Sequence, residues 1–203
     1  MTDKAAKLIT YILQPLIMPF LGVLFILYFD EYYYLQTTSS QKFYILAFVF
    51  LLTFMLPALA AILMKSTGTI KSLMMETREE RKLPILVTSA IYVTVYIMLG
   101  RVTGYDKIKM FMLGTTVSII LSGFITNYYK ISFHMTGCGG VVGWLAYMAT
   151  YSLFNVSGLL VASLLLSGLV GVARLQLKAH TPAQVYSGFL FGFTVVFLIG
   201  LIV

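Results

Sequence analysis

FYILAFVFLLTFMLPALAAILM, residues 43–64, is an unbroken run of 22 residues dominated by apolar side chains. It carries no charged side chain, and as a helix it matches the roughly 30 Å hydrocarbon core of a bilayer, for which about 20 apolar residues are needed. No water is present there to bond backbone N–H and C=O groups, so a run of this kind crosses as a helix that satisfies its own backbone. The pattern recurs. Residues 8–28, 85–100, 108–127, 135–154, 157–173 and 185–203 join 43–64 as expected spans, with 85–100 short enough to be tilted or only partly spanning. The runs are continuous rather than alternating, which excludes a transmembrane barrel. The whole chain of 203 residues is 60% hydrophobic and 10% charged, with a mean hydropathy of +0.93, whereas about a quarter of the residues of a soluble domain are charged. The expectation is an all-α, polytopic transmembrane helical bundle of about six to seven spans. It forms one integral membrane domain over residues 1–203 and leaves no room for a soluble one.

Composition also removes function classes. The first run follows Lys4 and Lys7, is interrupted by Gln14, Pro15 and Pro19, and is followed by no small-residue cleavage site, so it reads as a retained helix rather than a leader. Cys138 is alone and cannot form an internal disulfide, and two histidines make no metal-ligand cluster of the usual kind, so neither metal nor cofactor is expected. The net charge of +7 is scattered over an apolar chain, which argues against a nucleic-acid partner. No internal repeat is visible, so the duplicated halves of many transporters are not indicated.

Seven spans with short connections place the N-terminus and connections 65–84, 128–134 and 174–184 on one side of the membrane, here side A. The opposite side B is bland. Its "DEYYYLQTTSSQK" and "RVTGYDK" read as interfacial tyrosine anchors and solvated turns. Side A carries "METREERKLP", "YYKISFH" and "RLQLKAHTP", each with basic residues just before a helix. Pro84 and Pro182 suit a first helical turn, and Ser132 and Thr181 are natural N-caps. Helix N-termini present free N–H groups and partial positive charge. Three of them, with Arg78, Arg81, Lys82, Arg174, His134 and His180 nearby, describe a pocket for a multiply charged anion such as phosphate. Other readings stand beside this one. Lys and Arg at membrane boundaries commonly snorkel to headgroups, Arg78, Arg81 and Lys82 also suit a solvated helix end paired with Glu76, Glu79 and Glu80, and Gly137, Gly139, Gly140 and Gly143 suit close helix packing.

The spacing of Arg174, five residues, His180 resembles the third signature of the type 2 phosphatidic acid phosphatase and vanadium haloperoxidase-like superfamily: Ser-Arg, five residues, His, three residues, Asp. "KISFHMTG" resembles the second, Pro-Ser-Gly-His, keeping Ser132 and His134. "REERKLP" resembles the Arg-Pro end of the first, Lys, six residues, Arg-Pro. The resemblance covers about residues 65–203. Departures are Ala173 for Ser, Gln184 for Asp, Ile131 for Pro, Phe133 for Gly, and Glu79 after the Lys71–Arg78 pair where the pattern has Pro.

By position, the resemblance implies a catalytic set of His180 as nucleophile, His134 as the acid for the departing oxygen and Gln184 as orienter of His180. Arg174, Arg81, Lys82, Arg78 and Ser132 would bind phosphate, without a metal. Thr181-Pro-Ala-Gln184 is equally a Thr-x-x-Gln capping box. The implied function is a lipid phosphatase of the bacterial cytoplasmic membrane, acting on a lipid phosphate or isoprenoid diphosphate through a phosphohistidine. The alternative is an inactive relative that binds or carries anionic lipid. All Lys and Arg but Lys42, Arg101, Lys107 and Lys109 fall on side A, which the positive-inside rule makes cytoplasmic. Setting aside Arg78, Arg81, Lys82, Arg174 and Lys178 as site residues removes that bias, and the resemblance then favours the extracytoplasmic face.

Overall fold

The computed structural model describes residues 1–202 apart from Met74, Glu76 and Thr103. Among these the chain is helical throughout: α1 (Asp3–Ile12), α2 (Met18–Phe29), α3 (Glu31–Gln36), α4 (Ser39–Phe50), α5 (Leu56–Ser66), α6 (Arg78–Leu99), α7 (Asp106–Thr126), α8 (Phe133–Tyr151), α9 (Ser157–Gln176) and α10 (Pro182–Ile202). Helices α1 and α2 form one rod, as do α4 and α5, so the polypeptide makes seven helical passes. Six of these are long and apolar enough to cross a membrane. The seventh, α8, has 19 residues, and its His, Thr, Gly, Trp and Tyr content lowers its hydropathy. It needs no lipid-facing surface, because it is the central helix: between Met135 and Met148 only Gly137 and Ala146 are not buried. The chain is thus an integral, multi-pass helical bundle.

Both composite rods break where proline dictates. Gln14 precedes Pro15 and takes an extended conformation (φ −71°, ψ 154°), as the residue before proline prefers, and a single 3-10 turn then leads into α2. In the second rod Pro57 has no N–H for the carbonyl of Thr53, and the backbone widens into a π-turn over Leu51–Met55. The orphaned Thr53 carbonyl accepts a hydrogen bond from Tyr92 Oη at 3.3 Å. Pro84 is different from its expected place. It is not in a first turn, because α6 starts at Arg78 with Thr77 as its cap, Glu80 N donating to Thr77 Oγ1 at 3.4 Å. The short run at 85–100 is therefore the inner part of a 22-residue helix. Ser132 does occupy the N-cap position of α8, but its side chain makes no capping bond.

The glycines of α8 serve close packing. A Cβ at Gly139 or Gly143 would strike the carbonyl oxygens of Phe189 and Phe193 on α10, so the two backbones approach as only glycine allows. Polar pairs close the two ends. On side A, Gln176 Nε2 donates to Asp3 Oδ1 (2.9 Å) and Arg78 Nη1 to the carbonyl of Asn127 (3.1 Å). On side B, Lys107 Nζ meets Asp30 Oδ2 and Ser152 Oγ donates to Glu31 Oε2, each at 2.6 Å. Trp144, packed between Phe111 and Tyr147 at ring distances of 5.5 and 5.0 Å, fills the half of the bundle towards side B. The half towards side A is hollow.

Candidate anion-binding site

The hollow is a cavity of about 430 Å³ that reaches from the side A end past the middle of the bundle. Arg81 enters it from the first turn of α6, His134 from the start of α8, Arg174 from the last turn of α9, and His180 from the connection between α9 and α10. Four residues separated by up to a hundred positions thus line one chamber. Arg81, Arg174 and His180 are 6%, 5% and 8% exposed.

The guanidinium groups define the electrostatics. Arg81 Nε donates to the carbonyl of Met75 at 2.8 Å and Nη1 to that of Ile131 at 3.4 Å, and its Cζ lies 6.0 Å from the centre of the Phe133 ring. Arg174 Nε is buried without a hydrogen-bond partner. Among the described residues the ion pairs are Lys107–Asp30 and Lys109–Asp106, both on side B, and neither arginine has a carboxylate within pairing distance. Taking an ion out of water costs several kcal/mol unless a partner offsets it. Two buried cations that no described carboxylate pairs with form a site suited to an anion.

His180 is held by Gln184. Its Nδ1 lies 3.1 Å from Gln184 Oε1, and that oxygen also accepts from Thr181 N–H at 3.2 Å while Gln184 N–H donates to Thr181 Oγ1 at 3.4 Å. The capping box and the histidine contact coexist, because one amide oxygen has two lone pairs. An amide oxygen only accepts, so Nδ1 carries the hydrogen and Nε2 keeps its lone pair. Burial pushes the His180 pKa down to about 4, the positive charges of Arg174, Arg81 and Lys130 push the same way, and Gln184 opposes them. The ring is neutral at pH 7. His134 has the opposite arrangement: Nε2 lies 3.2 Å from the carbonyl of Thr10, so Nε2 holds the hydrogen and Nδ1 is left for a second proton.

Three residues expected to bind phosphate do not line the cavity. Arg78 is exposed and spends Nη1 on the carbonyls of Asn127 and Tyr128. Lys82 is exposed one position beyond Arg81, where a turn of 100° carries it to the outer face of α6. Ser132 is fully buried with its Oγ unpartnered, behind the chamber rather than at its wall. Conversely, Thr10, Ser118 and Ser122 line the chamber and were hidden within apolar runs. The spacing of four that links Gly114, Ser118, Ser122 and Thr126, all buried on α7, is the signal that marks that face. Among the described residues, no three His, Cys, Asp or Glu side chains gather as metal ligands.

The chamber also opens sideways. Helix α1 packs on α9 and α5 on α6, and between α1 and α5 the cavity wall is made by Tyr11 and Ile62, both more than half exposed at the outer surface. No protein-family model, curated protein or solved structure matches the chain.

Proposed function

We propose that the protein is a membrane lipid phosphatase that works through a phosphohistidine. The observation that carries this reading is the pairing of two buried guanidinium groups, with no counter-ion among the described residues, with a histidine whose free Nε2 lone pair shares their cavity. Phosphoryl transfer needs an in-line nucleophile and stabilisation of the equatorial oxygens, with little other covalent help. Arg81 and Arg174 hold those oxygens. His180 Nε2 attacks phosphorus, the P–O bond to the lipid breaks, and the departing alkoxide takes the second proton of His134 from Nδ1. Water then attacks the phosphohistidine, His134 Nδ1 receives its proton, and the P–N bond breaks to release phosphate and neutral His180. In charge the site departs from the resembled pattern, since its lysine and aspartate are both absent from the chamber, Lys71 being exposed and Gln184 neutral; Arg81, Arg174 and the doubly protonated His134 then face the monoester dianion. The apolar chain leaves between α1 and α5, where Tyr11 and Ile62 border lipid.

The membrane is a bacterial cytoplasmic membrane in this reading, and side A faces the cytoplasm. Arg78, Lys82 and Lys178 lie exposed outside the chamber, so they count as topogenic charge, and the excess of Lys and Arg on side A stands. The extracytoplasmic placement that the resemblance favours is the alternative to this orientation. A second reading, an anionic-lipid binder that does not cleave, is favoured by one feature: the Nε2–H of His134 is already spent on Thr10. Phosphate release by the purified protein from phosphatidic acid, lysophosphatidic acid and isoprenyl phosphates, with and without vanadate, separates the two. Vanadate-sensitive release is the expected result. Saturable binding of the same lipids without release would establish the second reading instead.

A further inference from the structure

Below the arginines the cavity wall changes character. Buried hydroxyls on the surrounding helices mostly turn back onto their own backbone: Thr88 onto the carbonyl of Pro84, Thr116 onto Met112 and Thr126 onto Ser122, each at 2.7 Å, and Thr136 onto Ser132 at 3.1 Å. Three do not. Thr10, Ser118 and Ser122 are 2%, 5% and 0% exposed, line the cavity, and have no hydrogen-bond partner. Their level is fixed by neighbours. A Cβ on Gly123 would stand 3.0 Å from Ile85 Cγ2, so adjacent Ser122 lies across from Ile85, about one helical turn or 5.4 Å below Arg81. Ser118 is one turn deeper, and the Thr10 carbonyl is the acceptor for His134.

A buried hydroxyl without a partner is costly, and a serine turns about one bond to meet one. These groups donate and accept but carry no charge, and they sit next to the anion site rather than within it. We infer that Thr10, Ser118 and Ser122 form a neutral subsite for a hydroxyl or ester carbonyl on the atoms that follow the phosphate, so that the substrate class is a glycerolipid phosphate rather than an alkyl or isoprenyl phosphate. The inference rests on the anion site proposed above. A purely hydrocarbon tail would place methylenes against all three oxygens, whereas a glycerol ester satisfies them.

The test uses two non-hydrolysable phosphonates with the same twelve-carbon chain, one carrying a glycerol ester and one a plain dodecyl group, so that binding is read whether or not the protein turns over. In detergent-purified wild type the glycerol ester should bind about tenfold tighter or better, the value of one to two well-made hydrogen bonds. The Ser118→Ala/Ser122→Ala variant should bring the two affinities within about twofold. Equal affinities in the wild type, or a ratio that the double substitution does not move, would overturn the subsite. The anion site is read separately. Arg174→Met should abolish binding of both phosphonates, and undiminished dodecylphosphonate binding in that variant would refute the anion site, whatever the ratio.

Discussion

Arg174→Met is expected to make the protein more stable and less active at once. Methionine keeps the length and apolar stem of the side chain and deletes its charge. In the ligand-free bundle that charge is 5% exposed, its Nε has no partner, and no described carboxylate pairs with it. Replacing a buried ion pair by apolar groups of similar volume is neutral or stabilising by up to about 1–4 kcal/mol, and removing a single buried cation that no described carboxylate pairs with is expected to give a gain of that order. Phosphate binding moves the other way. Two charge-assisted hydrogen bonds, at about 1.5–3 kcal/mol each, amount to roughly 3–6 kcal/mol, or about 10²- to 10⁴-fold in kcat/KM. Thermal unfolding in a nonionic detergent and phosphate release on the same preparation measure both. Arg78→Ala and Lys82→Ala serve as controls and should change kcat/KM by no more than about threefold, since exposed charges contribute little. A less stable Arg174→Met with undiminished kcat/KM would make Arg174 a structural residue and remove it from the anion site.

Gln184→Leu should lose about 1 kcal/mol of stability as a cap and roughly ten- to a thousandfold in turnover as the partner of His180, because Oε1 serves Thr181 and His180 together; stability loss with an intact rate would remove its positioning role. The acid limb of kcat/KM should fall near pH 4 rather than the ordinary 6.5, since attack needs neutral His180 and burial among Arg174, Arg81 and Lys130 depresses its pKa. The same depression makes stability fully present above about pH 6.5 and progressively lost between there and about 4, as the unfolded chain takes its proton first; an acid limb at 6.5 would contradict the burial argument. Lys178→Cys should react with an impermeant maleimide only from the cytoplasmic side and Gln36→Cys only from the opposite side, Cys138 being buried and silent; the reverse pattern would invert the topology.

The fold was legible because span length and lack of charge are local properties of each run. What escaped was α8's place at the centre, which its glycines hint at but hydropathy obscures. The α9–α10 turn was readable for the same local reason: Arg174, His180, Thr181, Pro182 and Gln184 are within one short segment whose cap and contacts are made among themselves. Arg81 was not separable from Arg78 and Lys82, since the choice depends on the rotation of α6, which Thr77 fixes by starting the helix well before Pro84. Thr10, Ser118 and Ser122 were illegible as site residues, because a hydroxyl within an apolar run usually bonds its own helix, and only the assembled cavity distinguishes those that do not.

Transfer of the phosphoryl group to His180 leaves an intermediate that can be trapped. Wild-type protein quenched in base after brief exposure to a ³²P-labelled lipid phosphate should carry label that is stable to alkali and lost in acid, on the peptide containing His180, and His180→Ala should carry none. Phosphate release by wild type without any such label, or equal labelling of His180→Ala, would contradict it.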